Sequence, residues 1–137
     1  VIQESNIIAD IIAPNNDSYS NLNNYSIVLK IKYKDKSFLF NGDAETLSEN
    51  EIKTDVSADV IKIGHHGSDT SSGQSFVNKV KAKYAIVSVG SNNRYDHPIQ
   101  SILDRWRNSG AKIYRTDLSG TIIVTTNGTS IDIKTAR

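Results

Sequence analysis

The sequence runs to 137 residues, 37% of them hydrophobic, with a formal net charge of +1, three histidines, no cysteine and no methionine. That length fits about one domain with a core of its own. The absence of cysteine excludes disulfides and thiolate metal sites, the charge gives no whole-chain basic excess for strong non-specific nucleic-acid binding, and no apolar run is long enough to span a bilayer.

In chain order, "NIIADIIA" (6–13) predicts a strand, and "PNNDSYSNLNN" (14–24) a polar loop rich in turn formers. "YSIVLKIKY" (25–33) alternates, with Ile27, Leu29, Ile31 and Tyr33 on one face and Lys30 and Lys32 on the other, the pattern of a half-buried strand. "KDK" turns it into a second strand, "SFLFNGD", so the two form a hairpin. "AETLSENEIK" has the composition of a short surface helix. "ADVIKIG" (58–64) is a short apolar strand, and "GQSFVNKVKA" suits a helix with Phe76, Val77 and Val80 inward. "YAIVSVG" (84–90) is a continuous apolar run, which predicts burial on both faces.

"HPIQSILDRWRNSG" is the strongest helix: Pro98 opens it, Ile99, Ile102, Leu103 and Trp106 recur at helical spacing, and Gly110 stops it. "AKIYRT" is a further strand. "GTIIVTTNGTSIDIKT" reads as a hairpin whose Asn127-Gly128 pair supplies the positive φ angles of the turn. Strands bracketing helices predict a layered α/β (α+β) domain with a mixed sheet flanked by helices.

Three of the predicted strands end in loops with chemistry in them. "FNGDAE" puts Asp43 just past an apolar strand, as a turn or N-cap residue or as a carboxylate ligand at the lip of a sheet. "KIGHHGSDTSS" places His65 and His66 side by side. Imidazole is the commonest protein metal ligand, and adjacent side chains diverge, so one ring can ligate while the other hydrogen-bonds a substrate or a neighbouring ligand. Gly67 allows close backbone approach, and Ser68, Thr70, Ser71 and Ser72 are candidate donors to an anion. Without a ligand this is a solvated loop that happens to hold two histidines.

"GSNNRYDHP" brings Asn92 as a substrate contact, Arg94 for a phosphate, Tyr95 as donor to a developing oxyanion, and His97. Its bland alternative is a capping loop. Strand ends in an open α/β fold converge on one edge, and the three loops together read as one side of a metal-dependent hydrolase site.

The order of "NNYSIVLKIKYKDKSFLFNGDAE", "ADVIKIGHHGSDTSS", "YAIVSVGSNNRYDHP" and "AKIYRTDLSGTIIV" resembles the metallo-β-lactamase superfamily, in particular the branch found in the hydrolase domain of the competence protein ComEC and its soluble relatives. The resemblance runs from about residue 23 to near the C-terminus. It implies a four-layer αββα sandwich and one or two divalent metal ions, zinc or also manganese. Asp43 matches the carboxylate that bridges the two metals. The histidine pair matches the late histidine ligand, taken as His66, with His65 as a catalytic or substrate contact; the motif itself leaves that choice open.

His97, Tyr95 and Arg94 match the branch's third loop, which implies substrate or phosphate contact. Asp96 stands where the branch usually has glycine, which puts the loop's backbone conformation in question. The implied reaction is hydrolysis of a phosphodiester or similar anionic ester, with nucleic acid as one substrate.

The family's main metal motif, His-x-His-x-Asp-His, has no counterpart, since all three histidines are already placed. A zinc site takes three or four protein ligands. The chain is therefore expected to correspond to the C-terminal half of such a domain, a processed product or a piece of something longer, as its non-methionine first residue also suggests. Its partner is then the missing N-terminal half or a second copy of the chain. The expected contact surface is the sheet face of segments 6–13, 26–33 and 37–41, because a half-sandwich exposes more apolar surface than soluble monomers tolerate. The rival reading is a non-catalytic structural or interaction module, and a second enzymatic rival is esterase-type chemistry on the same ligands.

Overall fold

The computed structural model describes residues 2–4 and 6–137, with side chains from residue 6 onward. The pattern of the sequence builds one mixed sheet of seven strands: β1 (Ile2–Glu4), β2 (Ile7–Ala13), β3 (Val28–Tyr33), β4 (Lys36–Phe40), β5 (Val60–Lys62), β6 (Tyr84–Val87) and β7 (Lys112–Arg115), in that spatial order. The first four form an antiparallel meander, and β4 to β7 run parallel. Parallel neighbours need crossovers. These are made by α1 (Thr46–Glu51) between β4 and β5, α2 (Gln74–Val80) between β5 and β6, and α3 (Gln100–Asn108) between β6 and β7. A short helix α4 (Thr116–Ser119) then leads to the hairpin β8 (Ile122–Thr126) and β9 (Ile131–Thr135), a separate two-stranded sheet. This is the mixed sheet flanked by helices that the sequence predicts. No helix among the described residues is long and apolar enough to cross a membrane.

Register decides which face is core. Val28, Leu39, Ile61, Ala85 and Val87 are buried on one face, against Phe76, Val77 and Val80 of α2 and Ile102, Leu103 and Trp106 of α3. The indole N–H of Trp106 donates to Ser72 Oγ at 3.1 Å, so the largest core side chain also leaves no donor unpaired. The opposite face carries Ile11, Leu29 and Phe40 in paired register. Toward β5 and β6 the β8–β9 hairpin covers it, with Ile122 and Val124 beside Phe38, Val60 and Ile86. Toward β2 and β3 it stays open: Ile11 is 64% exposed, Ile27 58% and Phe40 42%.

Several expectations need correction. In β3 the fully buried residue is Val28, on the lysine side, while Ile27 is exposed and Leu29 and Ile31 are only half-buried. Alternation finds a strand's two faces but not which of them the helices cover. Strand β6 alternates between buried Ala85 and Val87 and half-buried Tyr84 and Ile86, because the hairpin screens that side only partly. Helix α1 lies at the surface with Leu47 and Asn50 exposed, and its inner face buries two polar residues, Ser48 and Glu49. Pro98 precedes α3 rather than opening it. The β8–β9 connection is a four-residue loop, in which only Gly128 has positive φ and the Asn127 carboxamide oxygen accepts from the backbone N–H groups of Thr129 and Ser130.

Replacing Trp106 by Ala removes both the ring and its hydrogen bond, and should destabilise the fold by about 3–5 kcal/mol. The midpoint of a urea melt measures this, and a loss below 1 kcal/mol would mean that α3 does not anchor the core.

Candidate metal centre

Because β4 to β7 are parallel, their C-terminal ends lie along one edge, and the three loops singled out by the sequence all leave from it. After β4 the chain turns sharply, with Ala44 N–H bonded to Asn41 O at 3.0 Å. Gly42 has φ +53°, and a Cβ there would stand 3.0 Å from Ser26 Cβ, so the turn requires glycine. The next residue, Asp43, projects from the lip of the sheet.

After β5, His65, His66 and Gly67 have φ of 45°, 53° and 83°, three left-handed residues in succession. For the two histidines this conformation costs about 1–2 kcal/mol each, and such strain concentrates at functional sites. It is held by His65 N–H on Gly42 O (3.1 Å), Ser68 N–H on His65 O (2.9 Å), Ile99 N–H on Gly67 O (2.9 Å) and Ser71 Oγ–H on Gly64 O (2.9 Å). A Cβ on Gly67 would lie 2.6 Å from Pro98 Cβ, so the second and third loops interlock there.

The turn splits the two imidazoles. His66 Nδ1 lies 2.6 Å from the Ser88 carbonyl oxygen at the end of β6. A carbonyl only accepts, so Nδ1 carries the proton; in the neutral ring that leaves the Nε2 lone pair free, the tautomer of a ligating histidine. That Nε2 faces Asp43 Oδ1 at 3.5 Å. Two donors about 2.0–2.1 Å from one tetrahedral ion lie about 3.4 Å apart, so Asp43 and His66 fit as neighbours in one coordination sphere. Among the described residues no group of three His, Asp or Glu side chains converges on a common point. The fit is to half of a ligand set.

His65 turns the other way. Its Nδ1 is 3.0 Å from Thr70 Oγ1 and 3.7 Å from Glu45 Oε1, and its Nε2 is 3.4 Å from the Asn23 amide nitrogen. Glu45 in turn accepts from the side-chain amides of Asn21, Asn23 and Asn24 at 3.1–3.3 Å.

Beside His66 opens a cleft of about 330 Å³, lined by Ser88, Gly90, Asn93, Tyr95, His97 and Thr116. The Asn93 carboxamide oxygen accepts from the N–H groups of Tyr95 and His97, and its amide donates to the carbonyls of Gly90 and His97. Asp96 takes the left-handed conformation, φ 55°, so the aspartate does what the branch's glycine would. The Tyr95 and His97 rings stack at 5.8 Å, and the Arg94 guanidinium lies over the Tyr95 ring at 4.8 Å while donating to its hydroxyl oxygen. Burial, and then the neighbouring His65 and His66, push the His97 pKa down, while Asp69 and Asp96 work against that shift.

Of the remaining residues, Ser71 and Ser72 are a correction. Both are fully buried, with Ser71 Oγ bonded to Gly64 O and Ser68 O, and Ser72 Oγ accepting from Trp106, so neither hydroxyl is presented to a ligand. Ser68 is buried against Asp69 and Thr70. Asn92 is exposed and does not line the cleft; its neighbour Asn93 organises the loop.

Sequence reasoning also missed Glu45, Asn23 and Glu49. Glu45 stands two residues past Asp43, and its carboxylate could have been noticed there. Glu49 lies at the back of the site, with Oε1 accepting from Asn41 Nδ2 (3.1 Å) and Ser72 N (2.8 Å) and Oε2 from Gly73 N (2.8 Å). It ties the strand before Asp43 to the end of the histidine loop, and no sequence signal marks it.

No family model matches the chain. Its curated relatives include ComE operon protein 3 of Bacillus subtilis, 36% identical over 89% of this chain, Competence protein ComA of Neisseria gonorrhoeae, 38% over 73%, and Recombination protein 2 of Haemophilus influenzae, 30% over 93%. The chain covers 16%, 15% and 16% of their respective lengths. These homologues point to a competence-related family.

Two predictions arise from the site. Gly67→Ala meets both the Pro98 contact and the positive φ, and should cost about 2–4 kcal/mol, read from denaturant melts. Burial outweighs the three N–H donors at Glu49 and raises its pKa to about 7. A carboxyl with a raised folded pKa stabilises the fold fully below its unfolded pKa and loses that contribution as pH rises through the folded one. The stability of the wild type relative to Glu49→Gln should therefore fall between pH 4.5 and 8. A difference that is flat, or that rises with pH, would show that the three donors dominate.

Proposed function

We propose that this chain is the C-terminal part of a metal-dependent hydrolase domain of the metallo-β-lactamase type, cleaving a phosphodiester or similar anionic ester bond, in a protein that serves DNA uptake. The observation that carries the reading is the pair Asp43 Oδ1 and His66 Nε2, 3.5 Å apart at the mouth of the cleft, with the His66 tautomer fixed by Ser88 O. Support for the setting comes from the relatives whose names place them in competence and recombination.

Asp43 and His66 would hold zinc, or manganese, together with donors from outside the chain. The chemistry such an ion would supply is Lewis acidity, toward a water and toward the ester oxygen. The chain's own residues do the rest. Ser88 O keeps the His66 proton on Nδ1. Because Arg94 donates to the Tyr95 oxygen, the Tyr95 proton is free to point at a developing negative charge. The Arg94 guanidinium adds positive charge beside an anionic substrate. The His97 ring stacks on Tyr95 and holds it in place, and His65, engaged by Thr70 and Asn23, braces the turn from behind. The remaining donors would come with the element that covers the open face at Ile11, Ile27 and Phe40, either a preceding half-domain or a second copy of the chain.

That the described residues supply only two donors favours one other reading, a non-catalytic interaction module with a vestigial site. Metal analysis and phosphodiesterase assays of the full-length protein with zinc or manganese separate the two. Asp43→Ala and His66→Ala should each lower the rate by about 100-fold or more and release metal. Stoichiometric metal without phosphodiesterase activity, but with carboxylester cleavage, would move the substrate class. Unchanged activity and metal content in Asp43→Ala would overturn the assignment.

A further inference from the structure

Lys62, the last residue of β5, takes no part in the chemistry above. Its side chain leaves the sheet on the face away from the helices and lies half-buried in an apolar groove between the two sheets, beside Phe38, Phe40, Val60, Ile86, Ile122 and Val124. An ammonium is costly to place among such neighbours, and burial lowers its pKa while the Asp43 carboxylate works against that shift. Its Nζ donates to the Gly42 carbonyl at 2.9 Å.

That carbonyl belongs to the peptide unit that leads into Asp43. The same oxygen accepts from His65 N–H at 3.1 Å, and the N–H of the same unit donates to Ser26 Oγ at 3.1 Å. The plane is thus pinned at its oxygen by Lys62 and His65 and at its nitrogen by Ser26. A peptide unit is rigid, so fixing both ends fixes the origin of the Asp43 side chain. Gly42 itself has a left-handed φ and no side chain to hold it. The turn would otherwise be the loosest part of the site, and charge-assisted hydrogen bonds are among the strongest available to secure it.

We propose that Lys62 is a positioning residue: its ammonium holds the Gly42 carbonyl against the His65 amide and thereby keeps the Asp43 carboxylate facing His66. The inference rests on the reading of Asp43 and His66 as paired metal donors. It also accounts for a cation in an apolar groove that a methionine or leucine would fill without desolvation cost.

The test is zinc affinity of the full-length protein, by competition with a chromophoric chelator, together with its thermal midpoint. Lys62→Met keeps the length and apolar contacts of the side chain and removes its charge and donors. It should weaken zinc binding at least about tenfold, in the range seen when groups that orient a ligand are lost, while leaving the midpoint unchanged or higher. Lys62→Arg, which retains a charged donor, should restore most of the affinity, and Ser26→Ala should weaken it in the same direction.

A merely structural lysine would give the opposite pattern, a lowered midpoint with zinc affinity intact, and that result would overturn the proposal. Asp43→Ala serves as the reference. If it too leaves zinc affinity unchanged, the metal assignment itself falls. If it abolishes binding while Lys62→Met does not, only the role of Lys62 falls.

Discussion

The left-handed turn through His65, His66 and Gly67 is the constraint on which the site depends. Adjacent residues on an extended strand point to opposite faces, and on a regular helix they diverge by about a third of a turn. Here the reversed backbone sends one imidazole to the end of β6 and toward Asp43, and the other to Glu45, Thr70 and Asn23. The pair is thus two parts with separate work. Such a turn is unfavourable in isolation, and the bonds of Gly64–Gly67 to Gly42, Ser71, Ser88 and Ile99 overdetermine it. The site exists because the three loops are bonded to one another as well as to their own strands.

The layer behind those loops shows how a small domain holds a strained edge. Ser72 is bound through its nitrogen by Glu49, through its oxygen by Arg105 and through its hydroxyl by Trp106, so α1 and α3 both grip the end of the histidine loop. Glu49 reaches from there to Asn41, two residues before Asp43. Buried polar networks of this kind raise the cost of any alternative arrangement, because each broken bond leaves an unpaired group away from water. The serines after the histidines, which on sequence alone resemble anion donors, are part of this internal clamp.

The two faces of the sheet are covered unequally. One face of the seven-stranded sheet carries the helices, which bury Val28, Leu39, Ile61, Ala85 and Val87 and leave Lys32 exposed at the β3 end. The other is covered by a two-stranded hairpin over β4 to β6 and left open over β2 and β3, where Ile11 and Ile27 meet solvent. If Asp43 and His66 are read as metal donors, the further donors and a cover for this apolar surface would come from the same place, a structural layer outside this segment.

Much of this was legible in the sequence. Apolar periodicity located the strands and main helices, since burial of side chains repeats with the backbone's own period. The clustering of Asp, His and Tyr at three strand ends pointed to one edge, and the structure brings those three loops together there, since parallel strands align their ends. Asp96 stands where the resemblance implies a glycine, and its φ of 55° is a conformation that glycine adopts readily. Tertiary structure alone decided which face of β3 is core, which histidine meets Asp43, and that Ser71 and Ser72 are internal. Those outcomes depend on groups far apart in sequence: the Ser88 carbonyl on His66, Glu49 on Ser72, Lys62 on Gly42. Local pattern carries no information about such partners, because backbone carbonyls look alike in any sequence and a lone lysine or glutamate carries no mark of the groove or clamp it will occupy.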